Sequence, residues 1–277
     1  MTSRFMNFYI EGQKYLFSQL SLNGLYYDGF NAERRVQQRI RRLLNYTASK
    51  KVRYNVHGRA FQNTELLPFV DSMWTCEGID FTKGPAYWLV SISALPFGVF
   101  GEMLGADHVP PKTGTFCGES CANKWRGMLF GMTNRAGWNG VDPNDNANLW
   151  TLWDEFAIQD ADLFGWWNES APVKVESNVN RDQDLNNDIL ASAYVKHGVS
   201  TLIAIATWTN GTNETVRLNL DWNAMGLDVT RAHVEAPAGL KSFNRNDSAV
   251  EFQVDEEGCV ELVVPAYEGW LLVASMR

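Results

Sequence analysis

Hydrophobic and polar positions follow two rhythms along this chain, and the rhythm changes near residue 170. Upstream, stretches with apolar residues at helical spacing alternate with short apolar runs, the pattern of βα units. Residues 5–20, FMNFYIEGQKYLFSQL, carry the helical spacing. LNGLYYDGF follows as a short strand ending at Asp28. AERRVQQRIRRLLNYT then predicts a basic helix with Val36, Ile40, Leu43 and Leu44 on one face. KVRYNVHG predicts a strand ending at His57, LLPFVDSMW one ending at Asp71, and GVFGEML one ending near Glu102. AYWLVSISALPFG suits either a helix or a buried strand, and NANLWTLWDEFAI a helix capped by Asp145 or Asn146.

Downstream the period is two. Val216, Leu218, Leu220 and Trp222 face one way in ETVRLNLDW, and AVEFQV and CVELVV repeat the alternation. STLIAIATW is nearly all apolar and suits a central strand, while TNGTNET reads as a hairpin turn. About seven short strands in roughly 100 residues predict an antiparallel β-sandwich. The fold expected is α/β: a partial (β/α) TIM-type barrel over 1–168, then an antiparallel β-sandwich over 172–277.

Composition narrows the partners. The chain has 277 residues, 45% hydrophobic and 20% charged, enough to bury a sizeable core. Its net charge is -8 with no block of Lys or Arg, which argues against nucleic acid or an anionic membrane as partner. No apolar run reaches the roughly 18 residues of a membrane span. The first residues lack an uninterrupted apolar h-region, so no signal peptide is expected. Localisation is left open, secreted or lumenal if a segment is missing at the N-terminus. The sequons at Asn45, Asn168, Asn210, Asn213 and Asn246 would meet glycosylation machinery only then. Four cysteines, Cys76, Cys117, Cys121 and Cys259, specify no metal pattern. Cys117 and Cys121 are expected in an exposed loop without a metal, and no metal or organic cofactor is implied.

The working residues of a parallel α/β barrel sit at the C-terminal ends of its strands. That rule selects Asp28, His57, Asp71 and Glu102, with Glu77 in the loop after the third strand. Glycosidic cleavage needs a proton donor and a second carboxylate, or a substrate group, to stabilise an oxocarbenium-like state. Asp28 and Asp71 are therefore the primary catalytic candidates, with Glu77 as an alternative acid. His57, Trp74, Glu102, Arg126 and Arg135 are candidates to position a substrate, and Trp74 with Tyr27 would give a sugar its aromatic wall. Against this, acids at strand ends also cap helices or pair with arginine, and a strand-end histidine is often only hydrogen-bonded. His197 and His233 are read as isolated and solvated.

The strings GLYYDGFN, YNVHG, FVDSMWTCEGIDF, YWLVSISALPFGVFGEML, KWRGMLFGMTNR, LWTLWDEFAI, LFGWW and the closing GWLLVAS occur here in this order. In that order the chain resembles the bacterial proteins related to glycoside hydrolase family 123. The resemblance covers nearly the whole chain and implies a glycosidase-type barrel with a β-domain behind it. It also implies a carbohydrate substrate, with glycans carrying 2-acetamido sugars among the choices. Two departures stand out. Family members that resemble the substrate-assisted hydrolases use an adjacent Asp-Glu pair at a strand end. Here Asp28 is followed by Gly29, and Asp154-Glu155 lies in a helical stretch, so that mechanism is not carried over. The segment GADHVPPKTGTFCGESC resembles an insertion.

An eight-unit barrel takes roughly 250 residues, and only about four strands precede the β-rich part here. The expectation is the C-terminal half of a barrel, completed by a missing N-terminal segment or by a partner. Two functions follow: a glycoside hydrolase-like protein acting on O-glycosidic bonds by carboxylate chemistry, or a non-catalytic carbohydrate-binding or structural remnant of one.

Overall fold

The computed structural model describes residues 3–20, 22–28, 33–47, 52–58, 64–75, 83–104, 124–135, 143–177, 189–208, 212–245 and 247–277. Its first part is a parallel sheet covered on one face by helices. Helix α1 (Arg4–Gln19) begins at Ser3, whose hydroxyl accepts from the Met6 N–H at 3.2 Å. Strand β1 (Gly24–Tyr27) leads to α2 (Arg34–Thr47) and β2 (Arg53–His57). Strands β3 (Ser72–Thr75), β4 (Phe100–Leu104) and β5 (Thr133–Arg135) complete a five-stranded sheet in the order β1-β2-β3-β4-β5, parallel throughout.

The pattern of α2 explains its placement. Val36, Ile40 and Leu44 are buried at one-turn spacing while its arginines stand away from them. With Ile10 and Phe17 of α1 they meet Tyr27, Tyr54, Val56 and Met73 in one apolar cluster. The side of the sheet presented to the helices is thus the one carrying Tyr27, Tyr54, Val56 and Met73. Alternation puts Tyr26, Asn55, His57, Ser72, Trp74 and Glu102 on the other.

The stretch suited to either helix or strand is helical. Helix α3 (Pro85–Tyr87) widens into a π-helical turn over Trp88–Ile92. Helices α4 (Lys124–Leu129) and α5 (Pro143–Phe156) follow, α5 beginning ahead of the expected caps.

The antiparallel part starts at β6 (Asp162–Phe164) and continues through β7 (Val173–Ser177), β8 (Ile189–Lys196), β9 (Ser200–Thr207) and β10 (Glu214–Leu220). The short helices α6 (Trp222–Met225) and α7 (Lys241–Asn244) flank β11 (Ala232–Ala236). Strands β12 (Val250–Phe252), β13 (Cys259–Val264) and β14 (Gly269–Met276) end the chain. They form a three-stranded sheet, β13-β10-β7, facing a six-stranded one, β12-β11-β14-β9-β8-β6. Val216, Leu218, Val260 and Leu262 are buried as their alternation predicts, packed with Ile203, Ile205 and Leu272.

The six-stranded sheet is covered on its second face too. Leu202, Ala204, Ala206, Tyr194 and Leu271 pack against Trp88 of the π-helical turn and Trp125, Leu129, Leu149 and Phe156 from α4 and α5. Burial on both faces is why β9 reads as an unbroken apolar run rather than an alternating one.

Candidate functional site

The strands of the parallel sheet run the same way, so their C-terminal ends form one edge. Register places His57 beside Trp74 and Trp74 beside Glu102, with Asn55 beside Tyr26 and Ser72 one step below. All of these lie on the face turned away from α1 and α2. Asp28, the residue after β1, brings Oδ1 to 2.8 Å from Nδ1 of His57. The Asp28 side chain is 74% exposed, that of His57 only 13%. The Tyr26 and Trp74 rings stand 4.2 Å apart at 34°, an aromatic ledge on the same face. Asn55 donates Nδ2–H to Oε1 of Glu102 at 2.7 Å, reaching across β3.

Asp28, His57, Trp74 and Glu102 are therefore brought together, and sequence reasoning missed two members of the group. Asn55 precedes His57 by two residues, so alternation alone puts both on one face. Tyr26 occupies the place expected of Tyr27 for the same reason, being two residues from Asp28. Tyr27 turns inward, 4% exposed, with its ring 5.8 Å from Tyr9 and 5.5 Å from Tyr54. Burial pushes its hydroxyl pKa well up.

Asp71 does not join them. Strand β3 begins at Ser72, so Asp71 stands before the strand, at the opposite end of the sheet from Asp28. The run Leu67–Phe69 ahead of it is a 3-10 turn opened by Pro68, not strand. Oδ1 and Oδ2 of Asp71 accept from Nη2 and Nη1 of Arg41 on α2 at 2.7 and 2.8 Å, and Oδ2 also accepts the Tyr54 N–H at 2.8 Å. Burial alone would raise this carboxyl. The Arg41 hydrogen bonds and the Tyr54 N–H outweigh it and hold its pKa below the ordinary carboxylate value. The acid ties α2 to the sheet.

Arg126 also differs from expectation. It is 7% exposed on α4, donates from Nε and Nη2 to the Thr207 carbonyl at 3.1 and 2.9 Å, and lies 4.5 Å over the Trp208 ring. Burial pushes its guanidinium down to about 9. It joins α4 to the end of β9 and does not line the open face. Arg135 ends β5, in register with Leu104. Glu77, Cys117 and Cys121 lie outside the described residues.

Of the two histidines read as solvated, His197 is exposed. His233 is not: its side chain is 11% exposed, with Nε2 3.0 Å from Glu235 and Nδ1 3.3 Å from Glu251. The two carboxylates meet different ring nitrogens and come from register partners on β11 and β12. Among the described residues no group of three or more His, Cys, Asp and Glu could hold a metal ion, and no helix is long and apolar enough to cross a membrane.

Comparison with solved structures finds the same architecture in glycosidases. One is a noncanonic maltogenic α-amylase, AmyB, from Thermotoga neapolitana, with a TM-score of 0.58 at 10% identity, covering 100% of this chain and 67% of that one. Another is an α-amylase from Anoxybacillus, with a TM-score of 0.55 at 9% identity, covering 98% and 63%. The chain thus spans about two thirds of their length, and at this identity the likeness is one of fold. No curated protein matches the chain in sequence. Two family models do, the glycoside hydrolase 123 TIM-barrel domain over residues 1–137 and the glycoside hydrolase 123 C-terminal domain over residues 145–275. With nearly its whole length matched by these two domains, the chain belongs to the glycoside hydrolase 123 family.

Proposed function

We propose that the chain acts on the O-glycosidic bonds of a carbohydrate by carboxylate chemistry at the C-terminal edge of its parallel sheet. The observation that carries this is the company of Asp28: an imidazole at 2.8 Å, an aromatic ledge of Tyr26 and Trp74, and a second anchored acid, Glu102. His57 and Asn55, which hold the two acids, are two residues apart on β2, about 6.6 Å along the strand. On this reading Asp28, bridged to His57, exchanges the proton of the leaving oxygen. Glu102, held by Asn55, faces the developing positive charge. Trp74 and Tyr26 take the apolar face of the sugar, and Glu77, two residues past β3, and Arg135, the last residue of β5, are further candidates. No step of this chemistry needs a metal or organic cofactor.

A second reading has one observation in its favour. Asp28 is 74% exposed, whereas a general acid is tuned by an apolar, desolvated setting. The same face would then bind carbohydrate without turning it over.

Turnover of a panel of 4-nitrophenyl glycosides by the purified chain separates the two. The catalytic reading expects Asp28→Asn and Glu102→Gln each to lower turnover at least about 100-fold. Oligosaccharide binding that is lost in Trp74→Ala, with no turnover by the wild type, selects the second reading. Binding and turnover both indifferent to all three substitutions would sink both.

A further inference from the structure

Helix α1 has two apolar sides, and the fold uses one. Ile10 and Phe17 enter the core against the parallel sheet. Across the helix Phe5, Phe8, Tyr15 and Leu16 are 68%, 78%, 65% and 40% exposed. At 3.6 residues per turn these four and Gly12 fall in a sector about 100° wide, nearly opposite Ile10 and Phe17. An aromatic side chain covers ~150–250 Å². Three of them at these exposures leave roughly 400 Å² of apolar surface, before Leu16 is counted. The largest apolar patch on a typical monomer is about 300–600 Å² and is often functional.

Gly12 sits at the centre of the stripe, in mid-helix, where glycine is among the poorest helix formers. Nothing among the described residues calls for it, since an added Cβ would meet none of their atoms within 4 Å. What glycine does permit there is close approach of another backbone from outside. The stripe is arranged about it: Phe5 and Phe8 precede it, Tyr15 and Leu16 follow, with Phe8 and Leu16 both four residues away. A second α1 crossing antiparallel at Gly12 would lay Phe8 of each copy on Leu16 of the other, and Phe5 outside them. That is a self-complementary patch, as a two-fold contact requires. Leu20 and Leu22, past the last turn of the helix, are exposed too and add apolar area towards the ~800 Å² per partner of a standard interface.

We propose that the α1 stripe joins two copies of this chain about a two-fold axis, with the two α1 helices crossing at Gly12. The inference stands apart from the carbohydrate reading. Another protein contributing a helix, or a lipid surface, is the competing occupant.

Sedimentation of the full chain between about 1 and 100 µM tests it. The expected result is reversible association to twice the 31.3 kDa protomer mass. Gly12→Leu is the informative variant. It enters open space and improves helix propensity, so its thermal midpoint should equal or exceed that of the wild type. It should nonetheless weaken association at least tenfold, as should Phe8→Glu. Val263→Glu, at an exposed position of β13, should change nothing. A chain that stays monomeric over this range, including one that adsorbs to lipid vesicles instead, overturns the proposal. So does a dimer that both α1 substitutions leave intact.

Discussion

Replacing Asp71 by asparagine should weaken the fold and spare the site. The carboxylate accepts two Arg41 N–H groups and the Tyr54 N–H at 2.7–2.8 Å, with its side chain 12% exposed and that of Arg41 23%. Asparagine keeps the volume but puts an NH₂ where one of these acceptors stood, and leaves the guanidinium without a counter-charge. Breaking a buried pair from one side costs roughly 3–5 kcal/mol. The partial exposure of Arg41 lowers that to about 2–3 kcal/mol through solvent screening. In a chain of this size the change is a fall of several degrees in thermal midpoint. The sign with pH follows from the depressed carboxyl. Its contribution is present above the unfolded value near ~3.9 and is lost as pH falls through the lower folded value. Wild type and variant should therefore differ fully at neutral pH and converge in acid. Urea unfolding at pH 7 and again near pH 3 measures this, with carbohydrate binding or turnover assayed on the folded variant. An Asp71→Asn protein as stable as wild type at pH 7 but impaired towards carbohydrate would refute the assignment and return Asp71 to the site.

Arg126→Ala should cost about 3 kcal/mol in urea unfolding, because the guanidinium is buried over Trp208 and bonded to the Thr207 carbonyl. Unchanged stability would mean that α4 is held to β9 by apolar contacts alone. Gly269→Ala should be worse, since its Cβ would lie 1.8 Å from the Ile205 carbonyl oxygen, backbone that cannot yield without parting β14 from β9. Soluble protein with a wild-type melting curve would contradict that register.

The sequence carried the rhythm of the fold. Apolar spacing located α1 and α2, and period two located β10 and β13, because each of these buries one side and leaves its mark in the residues themselves. The strands bearing Asp28, His57 and Glu102 were legible as well, since strand ends in a parallel sheet are where such groups gather. What failed did so for identifiable reasons. Pro68 should have demoted LLPFVDSMW, and the true strand starts only at Ser72, which moves Asp71 to the far edge. A slip of one residue exchanged Tyr27 for Tyr26, and in a strand one residue is the difference between core and open face. The bond from Asn55 to Glu102 spans 47 residues and an intervening strand, and Arg126 finds its carbonyl 81 residues away. No local pattern encodes such pairs. Periodicity records which side of an element is buried, while partners are chosen only when the elements pack, and that choice belongs to the tertiary structure.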